Sequence, residues 1–178
     1  PEERREMRPR KITLTSGFSR EKELVRNLRK LDCWVETSQA LNSREKIDFT
    51  VCQIGALWLD PHIQAQVTFR DSVISKATEF FSLADKRMEG ISSYIEMPNM
   101  DSIRLAYLIK HILINTHQVA LRLEEPYFWI KIYSNGSWHW WEGLTKIRSH
   151  LNDLRLAHNQ ILRQDDQENL GITFSDHT

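Results

Sequence analysis

Two neighbouring stretches most constrain what this chain can become: Lys46-Ile-Asp-Phe-Thr-Val-Cys-Gln-Ile54 and His62-Ile-Gln-Ala-Gln-Val-Thr-Phe69. Both are rich in β-branched and aromatic residues, and Asp60-Pro61 lies between them, so they read as antiparallel strands joined by a turn. Each carries polar residues that core strands usually exclude. Asp48 stands alone in an apolar run, while Gln64 and Gln66 alternate with Ile63, Ala65 and Val67. A polar group on a buried strand is costly unless it is paired or used. These strands therefore hold the candidate site as well as the centre of a sheet.

The flanking segments supply the other layers. Ser19 is suited to cap a helix over Arg20–Leu31, in which Leu24, Val25, Leu28 and Leu31 recur at helical spacing and Glu21 and Glu23 occupy the first turn. Lys11–Thr15 and Cys33–Thr37 read as short strands, and polar Gln39–Glu45 reads as a loop. Asp71 or Ser72 can cap a helix from Val73 to about Met88, followed by a strand at Ile91–Met97. Asp101 can cap a long helix to about Leu123. Tyr127–Tyr133 and Ser137–Trp141 then flank Asn135-Gly136, a strong hairpin signal. A last helix is expected over Glu142–Arg163, with Leu144, Ile147, Leu151, Leu154, His158 and Ile161 forming a narrow seam.

The fold expected is α/β, with α+β as the variant. A small mixed sheet flanked by helices is followed by a helix, a β-hairpin and a long C-terminal helix. No Pro-, Gly- or Ser-rich linker divides the 178 residues, so residues 1–178 read as one domain. Residues 11–98 would form the core, 99–163 a helix-hairpin-helix extension, and 164–178 a polar tail.

Composition removes several function classes. No apolar run approaches the roughly 18–20 residues that span a bilayer, and the charged leading segment has no signal-peptide core, so the expectation is a soluble cytoplasmic protein with no membrane partner. Six well-separated glycines leave no Rossmann or P-loop fingerprint. Cys33 and Cys52, nineteen apart, do not make a zinc site and read as buried, reduced thiols. Net charge is zero, yet residues 1–30 hold ten Lys/Arg against five Glu while the remaining 148 hold fourteen against nineteen. The basic leading segment can touch phosphate or simply be solvated.

The order of these elements and a few residues resemble the PD-(D/E)xK nuclease superfamily over about residues 11–97. A helix bearing Glu21 precedes the strands. Ile47-Asp48 stands where that superfamily has Pro-Asp. The (Asp/Glu)-x-Lys half-motif falls on Gln64-Ala-Gln66 or on Gln66-Val-Thr68, and Lys76 lies on the helix that follows. The resemblance implies a metal-dependent endonuclease in which Asp48 and Glu21 hold Mg²⁺, Gln64 or Gln66 supplies a neutral ligand, and Lys76 stands near the attacking water. Phosphodiester hydrolysis needs such a group because a hard cation polarises the phosphoryl oxygen and generates hydroxide. The sequence departs from the pattern in having an amide for the second carboxylate and no lysine in its usual place.

The aromatic pair of runs offers a second candidate. Trp138 and Trp140 share one face of a strand and His139 and Trp141 the other, with Lys131 on the partner run. Aromatic platforms with nearby cations can stack nucleic-acid bases, though the same residues can serve as core. The alternative function is a non-catalytic interaction or assembly module, viral or host-directed, using this hairpin and the last helix, the latter as a surface for a protein partner or a homodimer.

Overall fold

The computed structural model describes residues 17–69, 73–83, 90–122 and 126–169, and shows a mixed α/β fold. Eleven elements follow in chain order: α1 (Gly17–Lys30), β1 (Cys33–Glu36), α2 (Gln39–Glu45), β2 (Phe49–Ile54), β3 (Leu57–Phe69), α3 (Val73–Ser82), β4 (Ile91–Met97), α4 (Ser102–Ala120), β5 (Tyr127–Ile132), β6 (Trp138–Glu142) and α5 (Leu144–Asn169). The six strands form one sheet in simple sequential order. The β1–β2–β3 pairings are antiparallel, β3–β4 and β4–β5 are parallel, and β5–β6 is again antiparallel. The second half of the chain therefore continues the first half's sheet rather than being appended to it.

Strand alternation explains why helices cover both faces. Val35, Val51, Ile63, Ala65, Ile95 and Ile130 point to a face sealed by Leu24, Val25 and Leu28 of α1 and Leu105, Ile109, Ile112 and Leu113 of α4. Tyr94 and Trp129 point the other way, into Ala77, Phe80 and Phe81 of α3 and Leu144, Ile147 and Leu151 of α5. α1 is held to its strand by Arg29, whose guanidinium donates twice to the Val35 carbonyl, at 2.7 and 3.2 Å. Asp101 caps α4 by accepting from the Arg104 amide.

Four expectations are corrected. Gln39–Glu45 is a helix, capped by Ser38, whose hydroxyl accepts from the Leu41 amide. It is two turns long and lies at the surface, too short for an apolar period to register. The turn between β2 and β3 is Gly55-Ala56, with Ile54 opposite Leu57, and Gly55 has φ +56°. Pro61 instead lies within β3, in the segment where the pairing steps from Val51–Ile63 to Gln53–Trp58. A residue without an N–H is tolerated at such an irregularity because no ladder bond is lost there. Ser19 lies inside α1, which starts at Gly17. Finally, α5 runs to Asn169, so residues 164–169 of the expected tail are helical. The expected strand at Lys11–Thr15, the Asp71 and Ser72 caps, the stretch 84–88 and the tail beyond 169 lie outside the described residues.

The Asn135-Gly136 hairpin forms as expected. Asn135 Oδ1 accepts from both the amide and the hydroxyl of Ser137, and Gly136 takes φ +86°. No helix among the described residues is long and apolar enough to cross a membrane.

Candidate functional site

The antiparallel β2–β3 hairpin and the parallel β3–β4–β5 set bring the start of β2 and the ends of β3 and β4 to one side of the sheet. The N-terminal turn of α1 lies on the same side. Arg20 donates to Asn99 Oδ1 at 3.0 Å, its guanidinium sits 4.6 Å from the centre of the Phe69 ring, and Ser102 donates to Glu23. The carboxyl ends of parallel strands are where open α/β sheets build their sites.

Asp48 occupies this end of β2. Its amide donates to the Ala65 carbonyl and its Oδ2 accepts from the Val67 amide, both at 2.8 Å. The two bonds bracket Gln66. The side chain thus replaces a ladder acceptor, which holds the carboxylate in the sheet's rim although it is 8% exposed. Burial raises its pKa to about 6, against the lowering effects of the Val67 N–H and the Lys76 ammonium. Glu21, from α1, is pushed up to about 7, first by burial and then by the negative charge of Asp48; Lys76 and Lys22 act in the opposite sense. Three residues far apart in sequence, Glu21, Asp48 and Lys76, therefore share one electrostatic environment. Lys76 reaches it from the first turn of α3, one helix beyond its usual place in the implied motif.

Gln66 is buried, and its Oε1, like that of Gln64, has no hydrogen-bond partner among the described residues. Thr68 is committed elsewhere: its hydroxyl donates to the Tyr94 phenol at 2.7 Å, which in turn donates to the Val73 carbonyl at 3.0 Å. The position where the implied motif would place its lysine is thus filled by a buried chain of hydroxyls that ties β3, β4 and the start of α3 together. Of the two readings of the half-motif, Gln66-Val-Thr68 is the one beside Asp48.

The carboxylates open onto a cleft of about 730 Å³ between α1 and α2. Lys22, Arg26, Arg29 and Lys30 line it together with Glu21 and Asp48. The cationic face of α1, which sequence alone left divided between a solvated arm and a phosphate contact, is the wall of this cleft. Two carboxylates are hard donors suited to Mg²⁺, which is usually held by one or two carboxylates together with water and substrate phosphate. Among the described residues no group of three or more His, Cys, Asp or Glu gathers at one place, so the set fits a sparsely ligated cation rather than a closed protein cage.

The aromatic hairpin lies elsewhere. Trp140 packs edge-on to Phe128 at 5.8 Å, on the α4 face, and Trp138 contacts the His111 ring of α4 at 5.4 Å. On the α5 face Trp141 stacks on His150 with ring centres 3.7 Å apart. Helices thus cover both faces of β6, and Trp138 and His139 remain its exposed positions. Lys131 belongs to a row across the sheet, Thr68–Glu96–Lys131–His139, set by the strand register. Sequence reading missed Glu96. Its carboxyl is raised by burial, and it accepts from the fully buried Trp129 indole at 2.7 Å. The available signal was a lone acid, one residue before the end of an apolar strand. Comparisons with family models, with curated proteins and with solved structures give no match.

Proposed function

We propose that this chain acts on nucleic acid through a nuclease-like site, as a divergent metal-dependent phosphodiesterase of endonuclease type. The observation that supports this most is that Glu21 and Asp48 both line one cation-rich cleft, with the charge of Lys76 acting on both. The helix-strand-strand-strand-helix-strand order on which the resemblance rests is present in the fold, with the short α2 inserted, and supports the same reading.

In this reading the backbone phosphates lie along Lys22, Arg26 and Lys30, and the scissile phosphate reaches Asp48. Asp48 and Glu21 would be the residues that hold Mg²⁺, with the Gln66 amide oxygen as a neutral donor. The bound cation supplies Lewis-acid polarisation and a water acidified toward hydroxide. Lys76 favours the ionised form of the two carboxylates, against the burial that raises both, and would orient the water beside them. An uncharged Gln66 makes the affinity for Mg²⁺ weaker than that of a three-acid site.

The test is cleavage of labelled single- and double-stranded DNA and RNA with Mg²⁺, Mn²⁺ or EDTA. Wild type should cut in an EDTA-sensitive manner, and Asp48→Ala and Glu21→Gln should not. Cutting that persists in Asp48→Ala, or no cutting of any substrate by wild type, overturns the assignment.

A second reading, an assembly module, has its own observation. The distal half of α5 leaves the sheet, and Leu156, Ile161 and Leu162 are 63, 57 and 48% exposed. Sedimentation of wild type beside Ile161→Asp tests it: a homodimer through this helix should dissociate in the variant, and a wild-type monomer without partners removes the idea.

A further inference from the structure

The cleft beside the carboxylates does not end at α1. A second cleft, of about 440 Å³, shares Arg29, Thr37 and Ser38 with the first and continues past Val35 to Trp34. Trp34 is 50% exposed and lies edge-to-face with Trp58, 51% exposed, at 5.6 Å; Trp58 in turn meets His62 at 5.3 Å. Strand register explains the grouping, because Trp34 and Trp58 are both cross-strand partners of Gln53.

Half-exposed tryptophans in mutual contact are unusual on a face that needs no such area for its core. The buried residues of β1, Cys33 and Val35, already face α1 and α4. α3 and α5 seal the opposite face over β4 and β5, through Tyr94 and Trp129. The two indoles lie outside both core clusters; Trp34 lines the end of the charged groove and Trp58 packs against it from outside.

We propose that Trp34 and Trp58 form a base-stacking platform, so that the occupant of the groove is an unpaired nucleic-acid strand rather than an intact duplex. This rests on the nuclease-like reading above and names its substrate class. The phosphates of the strand follow Lys22, Arg26 and Lys30, and its bases leave the groove at Trp34. Stacking needs an exposed base face, which a duplex does not offer within its length. Charge complementarity favours nucleic acid over a neutral sugar: along the two clefts four basic side chains stand against three acidic ones, Glu21, Asp48 and Glu36, and the basic ones are gathered on α1. Trp58 lies eight residues along β3 from Gln66, about 25 Å at strand rise. The platform is therefore separate from the carboxylates and grips the strand several nucleotides from the bond to be cut.

The experiment is fluorescence anisotropy with labelled 12-nucleotide single-stranded DNA and RNA and the blunt duplex. It is run in EDTA so that binding is read without cleavage, on wild type, Trp34→Ala, Trp58→Ala, Trp58→Phe and Arg26→Gln. Single strands should bind more tightly than duplex. Each Trp→Ala change should weaken single-strand binding about tenfold, within the 1–3 kcal/mol range for a stacked base. Trp58→Phe should recover part of the loss, and Arg26→Gln should lower the salt dependence by about one counterion. Both indoles are half exposed, so the circular dichroism and melting of the alanine variants should match wild type. Nucleic acid bound equally by wild type and both alanine variants overturns the platform and leaves the nuclease-like reading standing. Absence of binding to every nucleic acid overturns both.

Discussion

Asp48→Asn removes a charge while keeping the shape and the acceptor that meets the Val67 amide. An ordinary surface change of this kind costs a few tenths of a kcal/mol. Here it should stabilise the protein, and only at high pH. The Asp48 carboxyl titrates at about 6 in the folded chain against an ordinary 3.8. The folded state thus holds its proton to higher pH than the unfolded state does. Stability contributed by this group is complete below the unfolded pKa and declines as pH rises from about 4 through 6. Above that window, ionised Asp48 costs at most about 3 kcal/mol, at 1.36 kcal/mol for each pH unit of displacement. Glu21, displaced to about 7, adds a second decline that runs one unit higher, smaller than its displacement suggests because the group is only half buried. Asparagine mimics the protonated acid, so the variant should match wild type at pH 4. It should be more stable by about 2–3 kcal/mol at pH 8 in EDTA, with part of the gain coming from relief of Glu21. Urea unfolding at pH 4, 6 and 8, read by tryptophan fluorescence, measures this as a difference of differences, in which the other carboxylates cancel. A variant less stable than wild type at pH 8 would show that the Lys76 attraction outweighs burial, and the account of a destabilised carboxylate pair would fail. Adding Mg²⁺ at pH 8 should raise the stability of wild type and not of the variant, because only a native-state site gains from mass action.

Three further outcomes follow from the packing. Gly90 sits at φ +103°, where an added Cβ would lie 3.0 Å from the His62 carbonyl oxygen; Gly90→Ala should cost about 2 kcal/mol or more in thermal or urea unfolding, and a change under about 0.5 kcal/mol would contradict this turn. Trp129→Phe keeps an aromatic ring in the core but strips the half-buried Glu96 of its 2.7 Å donor, so about 1–2 kcal/mol should be lost at neutral pH. Protonating Glu96 at low pH should recover part of that loss; a loss independent of pH would assign it to volume alone. On α5, Ile147→Ala should cost about 2–4 kcal/mol, while Ile161→Ala, at a position 57% exposed, should change the monomer by less than about 0.5 kcal/mol; equal effects would mean that the distal helix is packed.

Parts of the fold that depend on local chemistry were legible in the chain. Asp101 announced α4 and Asn135-Gly136 announced the hairpin, because caps and tight turns are decided by a few adjacent residues. The apolar period of α1 was readable because its Leu24, Val25 and Leu28 stripe repeats over several turns. α2 was not, since two surface turns need no stripe, although Ser38 was a cap in plain view. The β2–β3 turn was misplaced because Pro61 is the louder signal, while Gly55 is the residue whose positive φ makes the turn. The last helix was placed, but not its two halves. Leu144, Ile147, Leu151, Leu154 and, further on, Ile161 continue one seam, yet only the first four pack against the sheet's core cluster.

For the candidate site, sequence determined which residue types were out of place: a carboxylate and two amides on strands that otherwise bury apolar side chains. Burial of a polar group is visible from its neighbours along one strand, since alternation is a local property. Tertiary structure decided everything that depends on meeting across elements. It brought Glu21 from α1 onto the same cleft as Asp48, set the charge of Lys76 where it acts on both, and turned the basic stripe of α1 into the wall of that cleft. It committed Thr68 to Tyr94, and it joined Trp34 to Trp58 through the shared partner Gln53. These are contacts between residues tens of positions apart, set by strand order and by which face each helix covers. No window of sequence contains them.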